Sequence, residues 1–270
     1  MLLDVNYNPT QGHVTDGEAY KTLLPSAPLN LWVQSYWQLN VPKGPFSYHS
    51  VPDNCVDWII NLNSFDDNFV IPPFLSSTLF HLTGPASFFG IRFRILGHNG
   101  LISIPLGDWG LVDSVKAREL LPIEVVCSVF ESIGKVQRFE ERCDDLSVTL
   151  LAKVKCVEVD SRLTNFIQYC HKNISSNFDL SDKQCAEFGV SARQLRRLTK
   201  QHLGLLPKDF AKVLRFQNTL TAMNATQHST VWLDNYYDQP HFIREFKCLS
   251  GLTPTQFRSL SVLYNNISTK

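Results

Sequence analysis

The feature that most constrains this fold is a helix–corner–helix pattern in residues 179–203, DLSDKQCAEFGVSARQLRRLTKQHL. Small and apolar positions predict a short first helix, after which Gly189 supplies a residue that tolerates the positive φ of a tight turn. Ser191 stands where the N-cap of a second helix belongs, and that helix starts at Ala192. The apolar face of the second helix consists of Leu195, Leu198 and Leu203.

The opposite face of this second helix is basic and polar. A helix-turn-helix with an Arg-rich second helix has the shape and the charge that fit a DNA major groove. A charged face is also typical of a helix that is merely solvated, so the charge alone leaves both interpretations open. The residues on this face are Arg193, Gln194, Arg196, Arg197 and Lys200.

Charge is distributed unevenly between the two parts of the 270-residue chain. Residues 1–160 hold 11 Lys and Arg against 18 Asp and Glu, hence −7, whereas residues 161–270 hold 14 against 7, hence +7. We therefore expect only the basic C-terminal part to face a polyanion.

A second, similar unit follows the first. Pro207 fits the first position of a long helix, predicted over residues 207–224. A short helix at 231–236 and a helix from residue 239 or 240 to 249, capped by Asp238, complete the unit. The long helix spans about 27 Å at ~1.5 Å per residue, so the two recognition helices can meet major-groove segments about 34 Å apart. The outward residues predicted for the last helix are His241, Arg244, Glu245 and Lys247.

The N-terminal part, in contrast, is a series of short apolar runs separated by Gly, Pro and Asn. The runs at 29–39, 55–62 and 87–96 predict strands, and the segment 42–45 (Pro-Lys-Gly-Pro) is expected to break the chain after the first run. Short strands at this spacing favour an antiparallel barrel or sandwich. Helices are predicted afterwards at 112–119, 122–132 and 135–153.

The sequence thus predicts an α+β protein with two domains. Residues 1–152 are expected to form a β-barrel-like or sandwich-like sensor or dimerisation domain with trailing helices. Residues 153–160 are the predicted linker, which contains no Gly or Pro and is compatible with a continuing helix. Residues 161–270 are expected to form an all-α DNA-binding domain of two helix-turn-helix subdomains joined by a long helix.

Two segments of the basic part, GVSARQLRRLTKQHLGLLPKDF and YYDQPHFIREFKCLSGLTPTQFR, resemble the AraC/XylS family of bacterial transcriptional regulators. The resemblance covers about residues 162–260, and the second segment is the more specific. Val231 and Asn235 depart from the family pattern, where a smaller residue and a glycine are usual. The segments PSAPLNLWVQSYWQL, VPDNCVDWIINL, FFGIRFRILG and IPLGDW resemble a sensor-type N-terminal domain of one branch of the same family.

The resemblance implies sets of residues that read bases and bind phosphates. Arginine can donate two hydrogen bonds to guanine, whereas phosphate contacts add affinity with little sequence choice. The implied base-reading residues are Arg193, Arg196 and Arg197 in the first unit and Gln239, His241 and Arg244 in the second. The implied phosphate ligands are Ser191, Lys200, Lys208, Arg215, Lys247 and Arg258.

The N-terminal part offers a weaker candidate for a small-molecule pocket. Arg92 and Arg94 are two apart on a predicted strand and share a face, so they can bind an anionic ligand or pair with Asp53 and Asp57. The tryptophans nearby are compatible with a pocket or with an aromatic core. The candidate pocket residues are Trp37, Trp58, Arg92 and Arg94. No metal site is expected, because His49, His81 and His98 lack ligand spacing.

We therefore expect a cytoplasmic, ligand-sensing transcriptional regulator, with activation as the working expectation, and neither an enzyme nor a cofactor-dependent protein. The expected partners are double-stranded DNA, a small-molecule effector, RNA polymerase and a second copy of the chain, but no membrane. Two alternatives remain open. The N-terminal domain could be an enzymatic or repair module with Cys55 as nucleophile, or it could bind a protein partner.

Overall fold

The computed structural model describes residues 7–10, 13–14, 19–110, 113–174, 180–225 and 236–258. The predicted α+β class is confirmed, because an antiparallel sheet comes first and helices follow. The strands are β1 (His13–Val14), β2 (Tyr20–Leu23), β3 (Val33–Ser50), β4 (Val56–Asn61), β5 (Asn68–Ile71), β6 (Thr78–Phe93) and β7 (Val115–Lys116). The helices are α1 (Ala117–Leu120), α2 (Ile123–Lys135), α3 (Phe139–Leu151), α4 (Ser161–Lys172), α5 (Asp182–Ala186), α6 (Ala192–Leu203), α7 (Pro207–Ala225), α8 (Gln239–Ser250) and α9 (Pro254–Arg258).

The strands form one antiparallel sheet in the order β1-β3-β6-β4-β5-β7, with β2 also paired to β3. The long strands β3 and β6 pair over most of their length, from Val33 opposite Phe93 to Ser50 opposite Thr78. Strand β4 pairs only with the second half of β6, from Phe88 to Phe93, so the first half of β6 extends past β4 with β3, and β1 pairs with β3 there.

The predicted break at residues 42–45 was wrong, since β3 runs through this segment. A bulge between Lys43 and Gly44, with Gly44 at φ +106°, accommodates the prolines without ending the strand. On the facing strand, a Cβ at Gly84 would lie 1.9 Å from the Pro42 carbonyl oxygen. Glycine at position 84 therefore allows the two strands to approach at the bulge.

The helices after the sheet cover one of its faces. Tyr36, Trp58 and Phe89 are fully buried from the sheet side, against Val129 and Leu146 from α2 and α3. The helix predicted at 112–119 was wrong within the described residues 113–119. Val115 pairs with Val70 in the sheet, and the helix α1 begins only at Ala117. Helix α3 also begins later than predicted, at Phe139.

The segment that joins the two domains is not a continuing helix, since regular helix ends at Leu151 and residues 154–160 have no helical turns. The Lys155 backbone makes two hydrogen bonds to the N-terminal domain. Its N–H donates to the Gly100 carbonyl at 2.9 Å, and its carbonyl accepts from Trp32 Nε1 at 3.3 Å. The connection is therefore attached to the N-terminal domain.

The C-terminal helices enclose two separate apolar cores. Helices α4, α5 and α6 share the first core with the start of α7, and the rest of α7 shares the second with α8 and α9. Helix α7 therefore belongs to both units, as the predicted long helix required. The short helix predicted at 231–236 lies, apart from Tyr236, outside the described residues, as do Val231 and Asn235. No described helix is long and apolar enough to cross a membrane.

Candidate nucleic-acid interface

The corner before α6 is built as its sequence predicts. Gly189 has φ +75°, and Ser191 is the N-cap of α6. The Ser191 hydroxyl accepts from the Gln194 N–H at 3.3 Å, while the Ser191 N–H donates to Gln194 Oε1 at 3.0 Å. This reciprocal capping box fixes the start of the helix, and Gly204 at φ +71° ends it.

Helix α6 has one buried and one exposed face. The buried positions, led by Leu195 at 0% exposure, follow the helical repeat and pack into the first core. All three arginines predicted to read bases lie on the exposed face. A helix held by its apolar face presents its basic face as a rigid surface. The exposed residues of this face are Arg193, Gln194, Arg196, Arg197, Lys200 and Gln201.

Two of the predicted phosphate ligands sit at the ends of α6. Ser191 is exposed, although its hydroxyl already serves the capping box. Lys200 is also exposed, and its ammonium donates to the Gly204 carbonyl at 3.0 Å. A cation at the C-terminal end of a helix is favourable, because the last carbonyls carry partial negative charge. Both side chains therefore have a structural role that a phosphate contact would have to replace.

Helix α8 is also capped at both ends. Asp238 accepts from the His241 N–H at 2.7 Å, and Gly251 ends the helix at φ +73°. Its buried positions recur with helical spacing, as an amphipathic helix requires. These residues are Phe242, Glu245, Phe246, Leu249 and Ser250.

The prediction that Glu245 faces outward was wrong. Glu245 points toward α7 and accepts hydrogen bonds from Arg215, whose Nη2 lies 2.8 Å from Oε1. The guanidinium of Arg215 also lies over the Tyr236 ring, 5.4 Å from its centroid. The Arg215 side chain thus packs between two helices and pairs with Glu245. Its position does not fit the predicted role of phosphate ligand.

His241 is turned partly toward the same cluster. Its Nε2 lies 3.7 Å from Glu245 Oε2, and its ring packs edge-on against Tyr236. The exposed face of α8 carries the predicted Gln239, Arg244 and Lys247, together with Ile243, which sequence reasoning did not single out. The helical repeat places Ile243 at the edge of the buried face, about 100° around the helix axis from Phe242. The exposed residues are Gln239, Pro240, Ile243, Arg244, Lys247 and Cys248.

The N-terminal domain contacts the C-terminal ends of both α6 and α8. A Cβ at Gly107 would lie 2.9 Å from the Gln201 Cα, so this loop rests on the last turn of α6. At α8, the Ser77 N–H donates to the Leu249 carbonyl at 2.9 Å. One domain therefore contacts both α6 and α8 near their C-terminal ends.

Between these two contacts, residues 51–54 lie against α7. Asn54, itself in the left-handed region at φ 61°, donates from Nδ2 to the Phe210 carbonyl at 3.1 Å. Gln217 donates to the Pro52 carbonyl at 2.6 Å, and Val51 packs into the second core. The loop thus joins the sheet to the helix that connects the two units.

Two of the candidate pocket residues, Arg92 and Trp37, belong to a buried polar cluster. Arg92 pairs with Asp53 at 2.9 Å and with Asp57 at 2.7 Å, and Trp37 Nε1 donates to Asp57 at 3.3 Å. Of the two alternatives, Arg92 therefore pairs with the aspartates, and the anion-binding prediction does not fit its position. Burial raises the pKa of Asp53 to about 6, and the positive charge of Arg92 opposes this rise.

The other members of the predicted pocket are separated from this cluster. Trp58 is fully buried on the opposite face of the sheet and donates from Nε1 to Asn68 Oδ1 at 3.3 Å. Arg94 donates from Nε to the Asn30 carbonyl. The four residues thus do not all lie on one face of the sheet. Cys55, the alternative nucleophile, is buried, and burial raises the pKa of its thiol well above the usual value.

Comparison with known proteins adds to this geometry. Residues 184–259 match the sequence model of a helix-turn-helix domain family, and residues 21–111 match a family described as a domain of unknown function. The F1 operon positive regulatory protein of Yersinia pestis is 29% identical over 101 residues, which are 36% of this chain and 34% of that protein. These matches support the resemblance of the sequence to the AraC/XylS family of transcriptional regulators. The chain spans about a third of the length of this curated relative.

Solved structures of ToxT from Vibrio cholerae are also among the proteins that this chain resembles. ToxT from Vibrio cholerae, in a structure at 1.65 Å resolution, is 11% identical, with a TM-score of 0.44, 95% of this chain covered and 100% of that chain. The structure of ToxT bound to an unsaturated fatty acid is 10% identical, with a TM-score of 0.42 and both chains fully covered. Scores of this size establish neither a shared site nor a shared ligand.

Most of the positions implied by the family resemblance are accessible in the structure. Arg193, Arg196 and Arg197 lie together on α6, and Gln239 and Arg244 lie on the exposed face of α8. Lys208, Lys247 and Arg258 are exposed as well. Only Arg215 and His241 are turned toward the contact between α7 and α8.

Proposed function

We propose that this regulator binds two adjacent major-groove segments of duplex DNA, with α6 in one and α8 in the other. The observation that carries this proposal is the exposed basic face of α6, which its capping box and apolar core hold rigid. Helix α7 has 19 residues and spans about 28 Å at ~1.5 Å per residue. That span is close to the ~34 Å between successive turns of one groove.

Base readout and phosphate binding divide along the exposed surface. On α6, Arg193, Arg196 and Arg197 read base edges, and on α8 Arg244 does so with Gln239 at the helix start. An arginine that donates two hydrogen bonds to guanine discriminates by about 1–3 kcal/mol against other bases. Lys208, Lys247 and Arg258 neutralise phosphates, which adds affinity without sequence choice.

We infer that the N-terminal domain controls this binding through its contacts with α6, α7 and α8. The loops at Gly107 and Ser77 hold the recognition helices, and Asn54 holds the connecting helix. An effector that binds the N-terminal domain would change DNA affinity only by preferring one arrangement of these contacts. The domain limits 1–152 and 161–270 fit this division of roles.

Activation is the proposed direction of regulation, supported by the name of the Yersinia relative, a positive regulatory protein. The same proposal places the protein in the cytoplasm. Its proposed partners are RNA polymerase and a second copy of the chain. A reporter gene behind the selected operator tests the direction, since expression should rise with the intact chain. The alternative of an enzyme built on Cys55 is disfavoured, because that thiol is buried and its pKa is raised.

The experiment that tests DNA reading is selection of bound duplexes from a random pool with the full chain, followed by footprinting. We expect a site of two segments about one helical turn apart, and affinity that falls steeply with salt. If the selection enriches no sequence, the proposal is overturned. If the footprint covers a single groove segment, α8 does not take part in DNA reading.

A further inference from the structure

The exposed face of α8 carries one large apolar side chain, Ile243. Pro240, Ile243, Arg244, Lys247 and Cys248 line a shallow depression of about 580 Å³ on this face. Ile243 is 38% exposed, although the helix buries three large apolar residues on its other side. The core of the second unit is thus complete without Ile243.

A single exposed isoleucine is common on protein surfaces and needs no explanation by itself. Ile243 is distinguished by its surroundings, because Arg244 and Lys247 lie beside it in the same depression. The nearest acidic residue of the helix, Glu245, is turned inward and paired with Arg215. The face therefore combines an apolar side chain with positive charge and suits a polyanion that offers an apolar group.

Duplex DNA offers such a group in the major groove. Isoleucine cannot form hydrogen bonds with its side chain, and the apolar group at a base edge there is the C5 methyl of thymine. A β-branched side chain in a helix holds one χ1 rotamer, so the contact surface of Ile243 is preformed. The cations beside it can meanwhile bind guanine and phosphate.

We propose that Ile243 is a specificity-determining residue that contacts a thymine methyl in the half-site bound by α8. The inference rests on the proposed function, since it requires α8 to enter the major groove. We place the thymine in the same half-site as the base pair read by Arg244, because both residues line the same depression. A protein partner seated in the same depression is the competing occupant.

The test replaces each thymine of the selected operator in turn by deoxyuridine, which removes only the methyl group. Burial of one methyl-sized group favours binding by ~0.8 kcal/mol, so the full chain should lose about fourfold in affinity at one α8 position. Ile243→Ala should bind the unmodified operator more weakly and show no loss on deoxyuridine substitution at that position. Ile243→Val, which keeps the β-branch, should retain most of the loss.

Two controls keep the result specific. Val148→Ala removes an exposed apolar side chain from α3, outside the proposed interface, and should behave as the unaltered chain. The response to deoxyuridine in the α6 half-site should be unchanged in Ile243→Ala, which shows that the variant is folded and bound in register. Far-ultraviolet circular dichroism checks the fold separately.

The outcomes separate this inference from the proposed function. Sequence-selective binding with no thymine whose methyl effect depends on Ile243 would overturn the inference alone. Unchanged affinity and selectivity in Ile243→Ala would do the same, and would favour the protein partner. Absence of sequence-selective binding by the unaltered chain would overturn both.

Discussion

Arg215 of α7 and Glu245 of α8 form a buried ion pair with three hydrogen bonds. Arg215 Nη2 lies 2.8 Å from each carboxylate oxygen, and Nε lies 2.9 Å from Oε1. The two side chains are 12% and 9% exposed. A planar guanidinium that donates to both oxygens fixes direction as well as distance, so the pair sets how α8 projects from the connecting helix.

Removal of one partner of this pair should strongly destabilise the second unit. Arg215→Ala leaves the Glu245 carboxylate buried and unpaired, and such a loss costs about 3–5 kcal/mol. Urea denaturation measures the change in the free energy of unfolding. The matched control is Arg138→Ala, since Arg138 pairs with Glu141 at the exposed surface and should contribute little. Equal effects of the two substitutions would contradict the account.

The contact between Asn54 and α7 combines a hydrogen bond with an unusual backbone conformation. Asn54→Gly should remove the bond to the Phe210 carbonyl, a loss of about 1 kcal/mol, while keeping a residue that accepts φ 61°. Asn54→Ala should cost roughly 1–2 kcal/mol more, because its Cβ disfavours the left-handed region. Urea denaturation of both variants measures and compares their free energies of unfolding. Greater stability of the alanine variant would be inconsistent with this geometry.

The loop at Gly107 should be sensitive to a single added methyl group. In Gly107→Ala the new Cβ would meet the Gln201 Cα at 2.9 Å and the Lys200 carbonyl at 3.1 Å, so one backbone must move. We expect faster amide hydrogen exchange in the last turn of α6. Asp108→Ala, at the exposed neighbouring residue, is the control and should leave exchange there unchanged. Unaltered exchange in Gly107→Ala would mean that the loop does not hold α6.

His98 should make stability depend on pH. It is buried near His202 of α6, and neither ring nitrogen has a hydrogen-bond partner in the described part of the chain. Burial, with a smaller contribution from His202, lowers the pKa of His98 to about 3. Below the unfolded pKa of about 6.5 the unfolded state binds the extra proton, so stability is lost as pH falls from 6.5 toward 3.

The expected slope is about 1.4 kcal/mol per pH unit over this window. His98→Phe removes the titrating group, and its stability should fall less steeply between pH 6.5 and 5.0. Urea denaturation at a series of pH values measures both slopes. His81→Phe, on an exposed part of β6, is the comparison and should keep the original slope. Parallel curves for the unaltered chain and His98→Phe would show that this histidine is not the source.

Local signals made α6 predictable to the residue. Ser191, Gly189 and Gly204 each act within one or two turns of the chain, so the limits of α6 follow from the sequence. The inward turn of Glu245 was not predictable in this way. Its partner Arg215 is 30 residues away, and a glutamate on a helix is normally solvated.

The continuity of β3 and β6 was missed for a related reason. Pro42 and Pro45 are strong local signals for a break, but pairing with β6 and the bulge at Gly44 override them. The residues that hold the domains together, such as Gly107 and Asn54, carry no local signal for the distant surface they meet. The base-reading assignments stay predictions, which binding measurements with duplex DNA test.

We propose that two recognition helices read one operator, and removal of one arginine from each helix measures their separate contributions. Affinity of the full chain for the selected operator is measured against scrambled duplex over a salt series, with Arg196→Ala and Arg244→Ala beside the unaltered chain. We predict that each variant loses about 1–3 kcal/mol of discrimination, in the half-site of its own helix only. Equal discrimination by all three chains would contradict the claim.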